Sequence, residues 1–147
     1  MILKLLWIFL TASVGSLGFA VILRVPRRGW VAASLIGGLG YAIDYFLLEI
    51  GIHSALAMFV GCLVASLLSQ YSARKLQMIA TSFVTVAIIP CVPGIGLYRC
   101  MYYLGQGMNA QGLHTFVSAM VDILMIAMAL GTGAFLVSKP WKKAHHE

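Results

Sequence analysis

Apolar residues in this chain come in long unbroken stretches, with neither the strict alternation of a half-buried strand nor the stripe of a surface helix. The stretches cover about Leu3–Leu23, Trp30–Ile50, Ser54–Tyr71, Gln77–Leu104 and Leu113–Val137. A helix needs roughly 20 apolar residues, within a range of about 17–25, to cross a hydrocarbon core of ~30 Å. Each stretch is long enough. Lipid cannot satisfy free backbone N–H and C=O groups, so a segment of this kind must bond to itself as a helix. The fourth stretch is interrupted by Pro90-Cys-Val-Pro93-Gly94-Ile-Gly96. The predicted fold is all-α: one polytopic transmembrane domain over residues 1–147, with about five helices at 3–23, 30–50, 54–71, 77–104 (broken near 90–94) and 113–137, and a cytoplasmic tail at 138–147.

Composition agrees with that pattern. Hydrophobic residues make up 61% of the chain and charged residues 10%, with a mean hydropathy of +0.96. A soluble domain carries about 25% charged residues, so water is excluded as the main solvent. The first stretch is too long for the ~7–15-residue apolar region of a signal peptide, and it ends in arginines and a proline instead of a small-residue cleavage site. It reads as a membrane helix.

The net charge of +6 is a topology signal. Arg24, Arg27 and Arg28 lie in the first link, Arg74 and Lys75 in the third, and Lys139, Lys142 and Lys143 in the tail. Five crossings put all three clusters on one side, and the positive-inside rule makes that side the cytoplasm. The N-terminus is then outside and the C-terminus inside; Lys4 is the exception. Trp30, Tyr71 and Trp141 fall at the same inner boundary, where interfacial aromatics belong. No basic face is left for nucleic acid.

Ala12, Ser16 and Ala20, and likewise Ala57, Gly61, Ala65 and Ser69, recur every fourth residue. Such small residues let membrane helices approach closely. Cys62, Cys91 and Cys100 lie in apolar surroundings without metal-ligand spacing. They read as core, and neither a metal nor a cofactor is expected.

The costly residues are more informative. A carboxylate at membrane depth costs about 2.5–3.5 kcal/mol on insertion scales. Asp122 lies ten residues beyond Gly112, roughly 15 Å into its helix and so near the midplane. Asp44 lies further toward the outer face. Ser34, Gly37, Tyr41 and Asp44 share one side of the second helix; Thr115, Ser118, Ala119 and Asp122 share one side of the fifth, continued by Ala129 and Gly133. These faces suit a cavity or a helix contact. Asp44 is open to a structural or a transport role, whereas Asp122 marks a pathway.

Pro90 lacks an N–H and clashes with the preceding turn, which predicts a half-helix ending near Ile89. Pro93 suits the first turn of a new half-helix, and Gly94 and Gly96 permit close backbone approach. The exposed N–H groups of that second half would form an anion site, with Arg99 able to add a bidentate partner for a carboxylate. Discontinuous transporter helices hold substrate carboxylates in this way. The alternatives are a plain kink with Arg99 reaching the outer interface, or an Arg99–Asp122 pair. His53 and His114 read as interfacial, and Asn109 and Gln111 as parts of the last loop.

The segment Ile88-Ile-Pro-Cys-Val-Pro-Gly-Ile-Gly-Leu-Tyr98-Arg resembles the threonine/serine exporter family, in the small-subunit form similar to the C-terminal membrane half of full-length exporters. Its Ile-Pro-x-x-Pro-Gly motif matches Ile89, Pro90, Pro93 and Gly94, and Tyr98 matches the tyrosine that commonly follows. Gly37-Gly-Leu-Gly-Tyr41 and Ala129-Leu-Gly131 are similar to further family segments, whereas Leu76-Gln-Met-Ile stands where many members carry another proline. The resemblance implies a larger membrane subunit as partner and export of threonine- or serine-type amino acids or of dicarboxylates such as succinate.

The function expected is therefore that of a bacterial inner-membrane exporter subunit for small carboxylate-bearing metabolites. Substrate would meet Pro90, Pro93, Gly94, Gly96, Tyr98, Arg99, Asp122 and Asp44. The partners are that larger subunit, the lipid bilayer and a small-molecule substrate, and a homo-oligomer is compatible with the same reading. The alternative is a non-transporting assembly subunit. No Gly-x-Gly-Asp motif accompanies either aspartate and no metal motif is present, so an enzyme is not expected.

Overall fold

The computed structural model describes residues 2–138, and over these it is helical throughout with no strand. Its helices are α1 (Ile2–Ile22), α2 (Trp30–Glu49), α3 (Ser54–Lys75), α4 (Ala80–Ile88), α5 (Gly94–Gly105) and α6 (Asn109–Ser138), with 3₁₀ turns at Arg27–Gly29 and Ile89–Cys91. Four segments, Leu3–Ile22, Arg27–Glu49, Ser54–Lys75 and Asn109–Val137, are long and apolar enough to cross a membrane. Residues 80–105 make a fifth span when α4 and α5, bent by 49° at their break, are taken together. The chain is thus an all-α, multi-pass membrane protein. The basic cluster Lys139, Lys142 and Lys143, with Trp141 and the rest of the expected tail, lies outside the described residues.

α2 and α3 form the centre. α1 lies along α2, α4 wedges against α2 and α3, α6 lies along α3, and α5 packs mainly on α6. Only 17% of the apolar windows of α1 and α6 is buried, against 44% for α3, so α1 and α6 are the walls and α3 the post. The contacts are made by small side chains. Ser16 and Ala20 of α1, Gly37 and Gly38 of α2, and Ala57, Gly61, Ala65 and Ser69 of α3 are all buried. Lipid tails are as apolar as leucine, so such interfaces are held by close packing and not by removal from water.

Four helix ends close in the same way. After α1 the N–H of Val25 donates to the Ala20 carbonyl and that of Arg24 to Val21; equivalent pairs of bonds follow α2, α3 and α5. This is the Schellman arrangement, which needs a left-handed residue. Gly51 and Gly107 supply it at the ends of α2 and α5 (φ +93° and +75°), but Arg24 and Gln77 supply it after α1 and α3 (φ +53° and +51°).

Three boundaries differ from the hydropathy pattern by three residues or more. α3 runs past Tyr71 to Lys75. α4 starts at Ala80, because Gln77 is taken up in the α3 cap. α6 starts at Asn109, so Asn109 and Gln111 are helical and not in a loop. Helical bonding continues through the polar residues because Gly107, not Gly112, makes the turn; Gly112 packs instead against Leu104.

Candidate functional site

The site is built where α2 and α3 cross. A Cβ on Gly40 would lie 2.8 Å from Ala65 Cβ, and one on Gly61 would lie 2.7 Å from the Gly40 carbonyl oxygen and 3.1 Å from Asp44 Cβ. The two main chains therefore touch, and Asp44, one turn beyond Gly40, is pressed against α3. It is only 4% exposed, and its Oδ1 is buried with no hydrogen-bond partner among the described residues.

The broken helix supplies the opposite wall. α4 ends at Ile88, close to the expected stop, but the chain continues as a 3₁₀ turn. Pro90 stands at the front of that turn, and its missing N–H ends the bonding ladder of α4. Val92 is then extended, and Pro93 (φ −75°, ψ 57°) forms an inverse γ-turn closed by the Gly94 N–H donating to the Val92 carbonyl at 2.7 Å. Pro93 is consequently the residue before α5, one position earlier than expected. The Leu97 N–H donates back to Pro93 at 3.2 Å, and among the described residues nothing accepts from the N–H groups of Ile95 and Gly96. These two donors stand at the positive end of α5.

Between the walls lies a cleft of about 420 Å³, lined by Tyr41 and Asp44 of α2, Met58 of α3 and residues 90–95. Of the residues singled out in the sequence, it gathers Asp44, Pro90, Pro93 and Gly94. Asp122 stands beside it. Ser54, the first residue of α3, donates to both of its oxygens at 3.2 and 3.4 Å, and Asp122 is near enough to Asp44 for the two charges to interact. Being bonded to the first residue of α3, Asp122 is level with that end of the central helix and not with its middle. The Ser54 contact carries no periodic signal in the sequence and only emerges from the fold. Beside it His53 caps α3, accepting from the Ala55 N–H at 3.3 Å.

Gly96, Tyr98 and Arg99 do not line the cleft. Gly96 faces Ala119 of α6, while Tyr98 and Arg99 are exposed on α5 with Tyr102. No ion pair joins Arg99 to Asp122 among the described residues. No group of three or more His, Cys, Asp or Glu side chains among the described residues could hold a metal ion, and all three cysteines are free and buried.

A cleft at a helix break with an unpartnered carboxylate is an arrangement for binding, and comparison with known proteins says for which family. The family model described as "Threonine/Serine exporter, ThrE" matches residues 8–139. The chain belongs to this exporter family. Within the match lie the break, the α2–α3 crossing and both aspartates. An uncharacterized protein of Haemophilus influenzae is 26% identical to this exporter-family chain over 138 residues, covering 91% of it and 46% of that protein. The chain thus spans about half the length of this curated relative. No solved structure matches it.

Proposed function

We propose that this chain is the membrane subunit of a two-part exporter of small amino acids of the threonine/serine type, with the Asp44 cleft as the substrate site. The observation that carries the reading is the pairing of opposite ends in one cleft. The N–H groups at the start of α5 suit a carboxylate, and the unpartnered Asp44 carboxylate suits an ammonium. A zwitterion satisfies both. A dicarboxylate such as succinate would set its second carboxylate against Asp44, a like-charge contact in a medium of low dielectric.

Asp122, steadied by Ser54, is the second acidic group of the site and takes the proton exchanged for substrate or shares the ammonium. The other half of the carrier comes from a larger membrane partner, in keeping with a chain that spans 46% of its longer relative. Arg99 and Tyr98, turned outward on α5, meet that partner. The membrane is the bacterial inner membrane. The basic ends of α1 and α3, at Arg24 and at Arg74–Lys75, face the cytoplasm together, which leaves the N-terminus outside and the C-terminus inside.

Efflux from cells lacking the native genes, loaded with threonine, serine or succinate, tests this reading. Each line receives this chain, its larger partner or both. Threonine or serine export that needs both chains and is lost in Asp44→Asn is the expected result. Succinate export that survives Asp44→Asn would overturn the zwitterion assignment. Normal export by the partner alone would leave this chain an assembly subunit.

A further inference from the structure

We propose that a second cleft, at the basic end of the bundle between α3, α4 and α6, receives the solute first, and that one apolar layer gates its passage to the Asp44 cleft. The identity of the solute and the direction of transport rest on the function proposed above; the two-cleft arrangement does not.

The second cleft has a volume of about 250 Å³ and is lined by Ser66, Gln70, Thr81, Val84, Leu130 and Ala134, among others. It belongs to the last turns of α3 before Arg74 and Lys75, and to the first turns of α4. Gln70 Nε2 donates to Ser66 Oγ at 3.3 Å, which leaves the amide oxygen free for a ligand. No charged side chain lines this cleft. Hydroxyl and amide groups at membrane depth are tolerated where they line a wet cavity, and uncharged ones hold a zwitterion weakly, as a solute on its way through must be held.

Above it lies a layer of Met58, Cys62, Ile88, Cys91, Ile126 and Ala129, every one buried. Val84 and Leu130 pack against this layer and also line the lower cleft. Tyr41 packs against it too, and with Met58 and Cys91 it lines the upper cleft. The same layer is therefore the roof of one cleft and the floor of the other. It is thin: Met58 and Cys62 are one helical turn apart, about 5–6 Å. Its moving part is identifiable. Cys91 sits in the 3₁₀ turn of the break and shares this buried layer with Cys62 of α3, so a change in the bend at Pro90–Pro93 draws Cys91 away from α3 and opens the layer.

The test is thiol labelling of the full chain, co-expressed with its partner, in membrane vesicles of both orientations. Cys62, Cys91 and Cys100 are first replaced by serine, and single cysteines are then introduced. Thr81→Cys is expected to react with a membrane-impermeant thiosulfonate applied from the basic side, and excess threonine should slow that reaction. Tyr41→Cys should not react from that side while the layer is intact, and should become reactive when Leu130→Ala thins it. Thr81→Cys that reacts from neither side would show a lipid-filled groove and overturn the proposal. So would Tyr41→Cys that reacts from the basic side as fast as Thr81→Cys with Leu130 in place. Efflux by Asp44→Asn is measured separately, so the substrate site can fail while the two-cleft labelling pattern stands, or the reverse.

Discussion

Replacing Gly61 by alanine adds one methyl group at the point where α2 and α3 touch. That methyl would sit 2.7 Å from the Gly40 carbonyl oxygen, against 3.4 Å where ordinary van der Waals contact begins, with Asp44 Cβ at 3.1 Å and Asp44 N at 3.3 Å. All three atoms belong to the α2 main chain or its first side-chain carbon, so none can rotate aside. α2 must withdraw by about 0.7 Å, and the small-residue packing on both sides of the crossing is pried open with it. Overpacking of this kind costs about 1–3 kcal/mol. Alanine's better helix propensity returns up to about 1 kcal/mol. With that return in full, the net expectation is a loss of up to about 2 kcal/mol. Gly131→Ala is the matched control: it is also inside a helix, but a Cβ there has no neighbour within 4 Å, so only the favourable propensity term remains. Unfolding of the purified variants in mild detergent, driven by heat or by added denaturing detergent, compares the two. Gly61→Ala should melt below wild type and Gly131→Ala at or above it. Because Asp44 moves with α2, efflux should fall in Gly61→Ala even under conditions where it stays folded. Equal stability of the two variants would refute the claim that main-chain contact holds this crossing.

Two further outcomes concern the end of α3 and the helix break. Gln77 adopts a left-handed conformation at the end of α3, which disfavours a side chain by roughly 1–2 kcal/mol; Gln77→Gly should raise the melting temperature, and a fall would mean that its side chain makes a compensating contact. Replacing Pro90 and Pro93 together by alanine restores two backbone donors and should straighten the 49° bend between α4 and α5, read as a longer spin-label distance between Thr81 and Met101 together with lost transport. An unchanged distance would place the origin of the bend in packing and not in the prolines.

The spans and the break were legible because both follow from local chemistry. A long apolar run has one solution in lipid, and Pro-x-x-Pro-Gly cannot continue an α-helix. The grooves of small residues were legible for the same reason, since a repeat of four marks one helix face. What escaped was the choice of partner for each face. Gly96, Cys100 and Tyr103 point one way from α5, and Tyr98, Arg99 and Tyr102 the other; nothing in the local sequence says which set meets the bundle. α5 lies on α6, and this turns Arg99 outward, away from the cleft that the sequence placed it in. Asp122 shows the same lack of non-local information. Its level is set by how α6 sits against α3, and its partner Ser54 is 68 residues away in the chain.

The helices also differ in length, and that difference couples the protein to its lipid. α2, with 20 residues, is about 30 Å long and matches a typical hydrocarbon core while standing upright. The apolar part of α6, from 113 to 137, is about 37 Å long, more than the same core covers upright, and tilting, bending or local thickening of the bilayer takes up the excess. A thicker bilayer lets α6 stand up, and a thinner one lays it down. Because α6 carries Asp122 and the Leu130 edge of the apolar layer, and α5 leans on it, acyl-chain length bears directly on the angle at the break.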